Sequence, residues 1–146
     1  MLMDRPLSNL RGIYDDIRIL PSDVTDEELI AFIDGWAALL ERENYIAAFA
    51  YTGHVREMRW SPGLLRRAIK DYGERRPDQA VTVHRGPAHH PQRKTVNHWS
   101  KVSENGLGDV LYDLNIDGSA SNLTAIFDIV EKQDGVLLRL NDIRVI

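Results

Sequence analysis

A chain of 146 residues with 43% apolar and 27% charged residues has the size and composition of one globular domain, here spanning residues 1–146, and buries enough surface to fold without covalent staples. The absence of cysteine excludes disulfides, thiolate metal sites and a cysteine nucleophile, and suits a reducing cytosol. The net charge of −4 argues against nucleic acid as a partner, since phosphate neutralisation needs clustered Lys and Arg. With no apolar run long enough for a signal peptide or a membrane-spanning helix, the expectation is a cytoplasmic protein.

In chain order, residues 1–21 offer Ile13, Ile17, Ile19 and Leu20 for packing and end at Pro21. Thr25, with Glu28 three residues on, predicts a capping box and the start of the first helix. Asp26, Glu27 and Glu28 suit the positive end of its dipole. Leu29, Ile33, Trp36 and Leu40 recur at helical spacing, with Phe32 and Leu39 widening the stripe and Asp34 and Glu41 on the other face. Trp36, at the centre of the stripe, is expected to be buried between helix and sheet. Glu43-Asn44 interrupts the pattern, and residues 45–51 read as a short second helix ending at Gly53. Residues 52–60 read as a loop. Ser61-Pro62 opens a third helix with Leu65, Ala68, Ile69 and Tyr72 as its buried stripe and Gly73 as its C-terminal cap. The basic run Arg66, Arg67, Lys70, Arg75 and Arg76 reads as a solvated face and loop.

Strands follow. Val81 and Val83 alternate with polar residues, and residues 85–94, rich in Gly, Pro, His and Arg, read as a loop. Residues 95–102 alternate again, with Val96, His98 and Val102 on one side and Trp99 on the other. Val110, Tyr112, Leu114 and Ile116 share one face. Asp117-Gly118 turns the chain into residues 123–129, whose odd positions are all apolar, and Asp134-Gly135 signals a second hairpin. In the last strand Leu138 and Leu140 give way to Ile143 and Val145. That change of parity predicts a bulge near Asn141-Asp142. Leu111, Ile126 and Val130 are left on the opposite face, where they could form a homodimer contact.

The chemistry-bearing residues fit no established motif. No Gly-x-Ser-x-Gly surrounds a serine, and Asn105-Gly106-Leu107-Gly108 lacks the helix start of a phosphate loop. His84, His89 and His90 fall in the loop, where the adjacent pair His89-His90 points apart on an extended chain, so neither metal nor cofactor is expected. His98, among alternating apolar residues, could face the interior as an acid-base group, and Asp128 could be a perturbed carboxylate in an apolar strand. Tyr51, Trp60 and Tyr112 could line a pocket or simply fill the core. These five are the candidate ligand-binding residues.

Three helices before a curved antiparallel sheet, with a first helix of the type Ile33-Asp34-Gly35-Trp36-Ala37-Ala38-Leu39-Leu40-Glu41, resembles the nuclear transport factor 2 / ketosteroid isomerase superfamily. The resemblance implies an α+β, cone-shaped, cystatin-like fold in which helices close over a bent sheet and leave a pocket. Residues 112–118, 121–125 and 141–146, with 36–51 and 60–65, are also similar to a group of uncharacterised bacterial proteins, over about residues 14–146, from which no activity carries over. The function expected is a non-catalytic binding protein. Its partner would be a protein, such as a toxin held by an immunity protein, or a small apolar ligand. The alternative is a cofactor-independent isomerase or dehydratase with His98 or Asp128 as base, which requires His98, Asp128 and Tyr112 to converge in one pocket.

Overall fold

The computed structural model describes residues 18–83, 92–103 and 105–146. Ile13 and Ile17, and the loop histidines His84, His89 and His90, lie outside them. The fold is α+β: three helices packed on a curved, mostly antiparallel sheet that forms a half-barrel.

Helix α1 (Asp26–Glu41) starts where its cap requires. Thr25 Oγ1 accepts from the Glu28 N–H at 3.1 Å, and the Glu28 carboxylate accepts from the Thr25 N–H at 2.9 Å, so two otherwise orphaned donors are satisfied. Its stripe Leu29, Ile33, Trp36, Ala37 and Leu40 is buried. Glu43, at φ +56°, reverses the chain, and Asn44 caps α2 (Tyr45–Tyr51) by accepting from the Ala47 N–H at 3.1 Å.

Ser61 caps α3 (Pro62–Lys70), accepting from the Leu64 N–H at 3.0 Å. This helix ends at Lys70, ahead of the expected glycine cap; Gly73 adopts φ +63° in the turn beyond. The reason is that side chains finish the helix. The buried Gln79 amide donates to the Ile69 and Tyr72 carbonyls at 2.6 and 2.8 Å. The buried Lys70 ammonium donates to the Gln79 carbonyl and to Glu43, both at 2.6 Å.

The strands are β1 (Gly53–His54), β2 (Val81–Thr82), β3 (Lys94–Ser103), β4 (Gly106–Ile116), β5 (Ser119–Lys132) and β6 (Gly135–Val145). Their order is β1-β6-β5-β4-β2, with β3 on the same edge of β4 as β2. The meander β4-β5-β6 is as the alternation predicts, and Asp117 and Gly118 both take positive φ in the two-residue turn. The stretch read as a loop between α2 and α3 contains β1 and a 3₁₀ turn (Arg56–Met58). β1 runs parallel to β6, with Gly53 opposite Arg139 and His54 opposite Leu140, which makes the sheet mixed. Two residues are too few to show a period-2 pattern.

The bend comes from bulges. Leu140 faces Phe127 and Asp142 faces Ile126, so Asn141 is the extra residue, at the place where the parity of β6 changes. Leu138 and Leu140 before it and Ile143 after it are thereby all buried. The freed Asn141 carbonyl accepts from Trp60 Nε1 at 3.0 Å. Further irregularities lie between Gly106 and Gly108 and between Asp113 and Asn115. The concave face so formed wraps α1. Trp36, fully buried, meets the Phe127 ring edge-on with centroids 5.0 Å apart at 87°.

Trp36→Ala is expected to cost about 3–5 kcal/mol, read as a lower urea midpoint at unchanged slope; an unchanged midpoint would contradict the packing.

His54 gives a pH signature. Its ring stacks on Phe49 at 4.0 Å, and Nε2–H donates to the Phe49 carbonyl at 2.7 Å. Burial pulls its pKa below the ordinary 6.5, with the Phe49 hydrogen bond partly opposing. The unfolded chain therefore takes up this proton first as pH falls. The stabilisation is whole above about 6.5 and is lost as pH drops from there towards the folded value. The wild type should lose more stability than His54→Gln between pH 7.5 and 5; parallel loss in both proteins would show that His54 is not the source.

Candidate functional site

Helix α1 and strand β3 lie side by side and antiparallel, joined at two points. His98 Nε2 lies 2.7 Å from Asp26 Oδ1, and Lys94 Nζ lies 3.0 Å from Asp34 Oδ1. Eight residues of helix rise about 12 Å and four residues of strand about 13 Å. The two elements thus stay in step, and both bridges form without strain. Between them is a cleft of about 390 Å³, with Ile30, Ala31 and Val96 as apolar lining and Asp26, Glu27, Asp34 and Lys94 as charged lining. Three carboxylates against one ammonium leave that lining two charges negative when His98 is neutral.

Tyr112 of β4 lies beneath the Lys94 end. Its hydroxyl donates to Asp34 Oδ1 at 2.6 Å, and Lys94 Nζ stands 5.0 Å from the centre of its ring. Only 2% of Tyr112 is exposed. Burial first, then the neighbouring Asp34 carboxylate, raises its pKa far above the ordinary tyrosine value. The hydroxyl therefore remains a protonated donor, and Asp34 is held by two donors at once.

The five residues singled out in the sequence are dispersed. Tyr112 and His98 reach opposite ends of this one cleft. His98 faces α1, as its alternation implies, but it is 64% exposed because, among the described residues, β3 is paired on one side only. The expectation of an interior histidine is corrected on that ground. Asp128 lies on the other face of the sheet, where Arg139 donates to it at 3.2 Å and Asn141 at 3.2 and 3.3 Å. His98, Asp128 and Tyr112 therefore do not converge. Trp60 is a core residue, bonded to the bulge at Asn141.

Tyr51 packs at 4.5 Å on Phe32, with the Arg18 guanidinium 4.5 Å from its ring. Burial raises its pKa, with Arg18 opposing. Its hydroxyl passes so close to Gly35 that a β-carbon there would collide with it. This accounts for a glycine inside a helix, where one ordinarily costs about 1 kcal/mol.

Asp26, Asp34 and Lys94 are the site residues that sequence reasoning missed. Asp26 reads as a dipole partner and Asp34 as a solvated face. Nothing local reports that a strand sixty residues away returns to them. On the convex face, Val130 is buried and Leu111 and Ile126 are half-buried, so this apolar set is less open than alternation alone implies.

Comparison with known proteins returns no match: neither a family model, nor a curated protein, nor a solved structure aligns with the chain.

Tyr112→Phe should destabilise by about 1.5 kcal/mol, as for a hydrogen bond to a charged group. In a double-mutant cycle with Asp34→Asn the two costs should be strongly non-additive. Additive costs would mean that the contact contributes nothing.

Proposed function

We propose that this is a non-catalytic binding protein that takes an apolar group, from a small ligand or a protein partner, into the cleft between α1 and β3. The observation that carries this reading is how the cleft is divided. Ile30, Ala31 and Val96 form an apolar floor, while Asp26, Glu27, Asp34 and Lys94 supply charged groups around it. A mostly apolar floor with few polar groups is the usual composition of a binding site. Asp26, Asp34 and Lys94 are already paired. Asp34 accepts from Tyr112 and Lys94, and Asp26 holds His98. The excess of carboxylates favours an occupant that carries a cation beside its apolar part.

The order of helices before a curled sheet supports placing the fold near the nuclear transport factor 2 / ketosteroid isomerase type. For the isomerase or dehydratase reading, the supporting feature among the described residues is His98, oriented by Asp26 at the cleft's end. Tyr112 is a fixed donor and Asp128 is across the sheet, so neither of the other two residues named for that reading stands opposite it.

Ala31 is exposed on α1 and outside the core stripe, so Ala31→Trp fills the cleft without disturbing the fold. In calorimetric titration the wild type should bind phenylbutylamine, an apolar ring with a terminal ammonium. Ala31→Trp should keep the wild-type melting temperature and bind about tenfold more weakly or worse, the scale of one lost ring contact. Equal binding by both proteins would remove the cleft as the site.

A further inference from the structure

The edge of β3 that faces away from β4 is where the structure says most about a partner. The Arg93 carbonyl accepts from the Asp113 N–H at 2.9 Å, so Arg93 and Asp113 form a hydrogen-bonded pair of the antiparallel ladder. Such pairs alternate along the strand. Thr95, opposite Leu111, and Asn97, opposite Asp109, therefore direct their N–H and C=O groups to β4. Lys94, Val96 and His98 direct theirs the other way. Among the described residues no strand pairs with β3 on that side.

The same three residues turn their side chains to α1, through the two bridges and the cleft floor. One short stretch thus presents backbone groups that no described strand takes up, and lies beside a helix wall made of Asp26, Glu27, Ile30 and Ala31. The straight run is limited, because the register shifts between His98 and Ser103. It offers about five residues, or roughly 17 Å of strand.

An edge strand beside a helix is the geometry in which an extended segment adds to a sheet. Backbone hydrogen bonds then hold it, and alternate side chains enter the groove. Charge decides what kind of segment. Two-fold pairing of β3 with a second copy, centred on Val96, would set Lys94 opposite His98. It would also bring both acidic first turns, Asp26, Glu27 and Glu28, to the same side of the joined sheet. The two turns would stand at opposite ends of the paired run, each level with the other copy's Lys94, so the charge that selects an occupant is that of the cleft lining itself. Three carboxylates against one ammonium line the cleft, a balance that a basic segment offsets.

We propose that the free edge of β3 over Lys94–His98 takes up, as an added strand, an extended basic segment of a partner protein. Its apolar side chain lies opposite Val96 against Ile30 and Ala31, and a Lys or Arg two residues away faces Asp26 and Glu27. This rests on the binding reading of the cleft and names its partner class.

The test uses a blocked heptapeptide, Thr-Lys-Thr-Val-Thr-Lys-Thr, with a form in which glutamate replaces both lysines. Two further forms carry N-methyl groups, either on the valine and lysines, whose N–H groups would face β3, or on the inner threonines, whose N–H groups would face away. Calorimetry gives affinity, and nitrogen–proton correlation spectra locate the site. The parent peptide should shift the amides of Lys94, Val96 and His98. The glutamate form and the valine/lysine-methylated form should bind about tenfold more weakly or worse, whereas the threonine-methylated form should stay within about twofold of the parent. The double substitution Asp26→Asn with Glu27→Gln should weaken the parent peptide and leave the glutamate form unweakened. Equal binding of the two methylated forms, equal binding of the glutamate form, or shifts confined to another face would each overturn the proposal. If phenylbutylamine binds and the parent peptide does not, the added strand is wrong and the cleft reading stands. If neither binds, the cleft reading fails with it.

Discussion

The fold depends on bending one sheet around one indole ring. Trp36 is fully buried against the edge of Phe127, and a flat sheet would touch α1 along a line and leave that ring half-solvated. β6 solves this by inserting Asn141. Without the extra residue, Leu138 and Leu140 could face the helices only if Ile143 faced outward, because side chains alternate strictly along a strand. The bulge leaves a carbonyl without a ladder partner, and the Trp60 indole takes it. An aromatic side chain from the segment before α3 thus makes tenable the bend that encloses an aromatic side chain of α1.

Helix α1 meets two environments on adjacent faces. Leu29, Ile33, Trp36 and Leu40 enter the core. Asp26, Ile30 and Asp34, each four residues from the next, form a neighbouring row that meets β3. That row carries charge at its ends and an apolar residue between, and β3 mirrors it with His98, Val96 and Lys94. The cleft results from two elements with matched rise, held apart by paired side chains at both ends.

A third device secures the edge of β4. The linker after α3 must return to the sheet, and Lys70 anchors it. A buried ammonium is costly unless its donors are satisfied, and Lys70 bonds to both Glu43 and the Gln79 carbonyl. Gln79 in turn closes the end of α3. One residue further on, Ala80 and Asp117 exchange hydrogen bonds through the Asp117 backbone and carboxylate, which sets Val81 and Thr82 into pairing with β4. Turn, helix end and strand start are thereby fastened by a few polar contacts where there is little apolar surface to bury.

What the sequence determined by itself is whatever is encoded within a few residues. Thr25 with Glu28, and Ser61 with Pro62, start helices through bonds spanning three residues. The parity of β4, β5 and β6 and its break at Asn141 are legible because side-chain period is a local property of a strand. The order of those elements then gives the α+β class and the curved sheet. β1 was not legible, because two residues have no period and their partner, β6, is about eighty-six residues away. Nor was the site. His98 and Val96 alternate correctly, but alternation gives the face and not the depth, and β3, paired on one side only among the described residues, left His98 exposed. Asp128 and Tyr112 were separated by the pleat, which puts them on opposite faces of one sheet. Asp26, Asp34, Lys94 and Tyr112 became a cluster only when the curled half-barrel brought β3 and β4 against α1, since contacts across sixty to eighty residues are fixed by packing and leave no mark on local pattern.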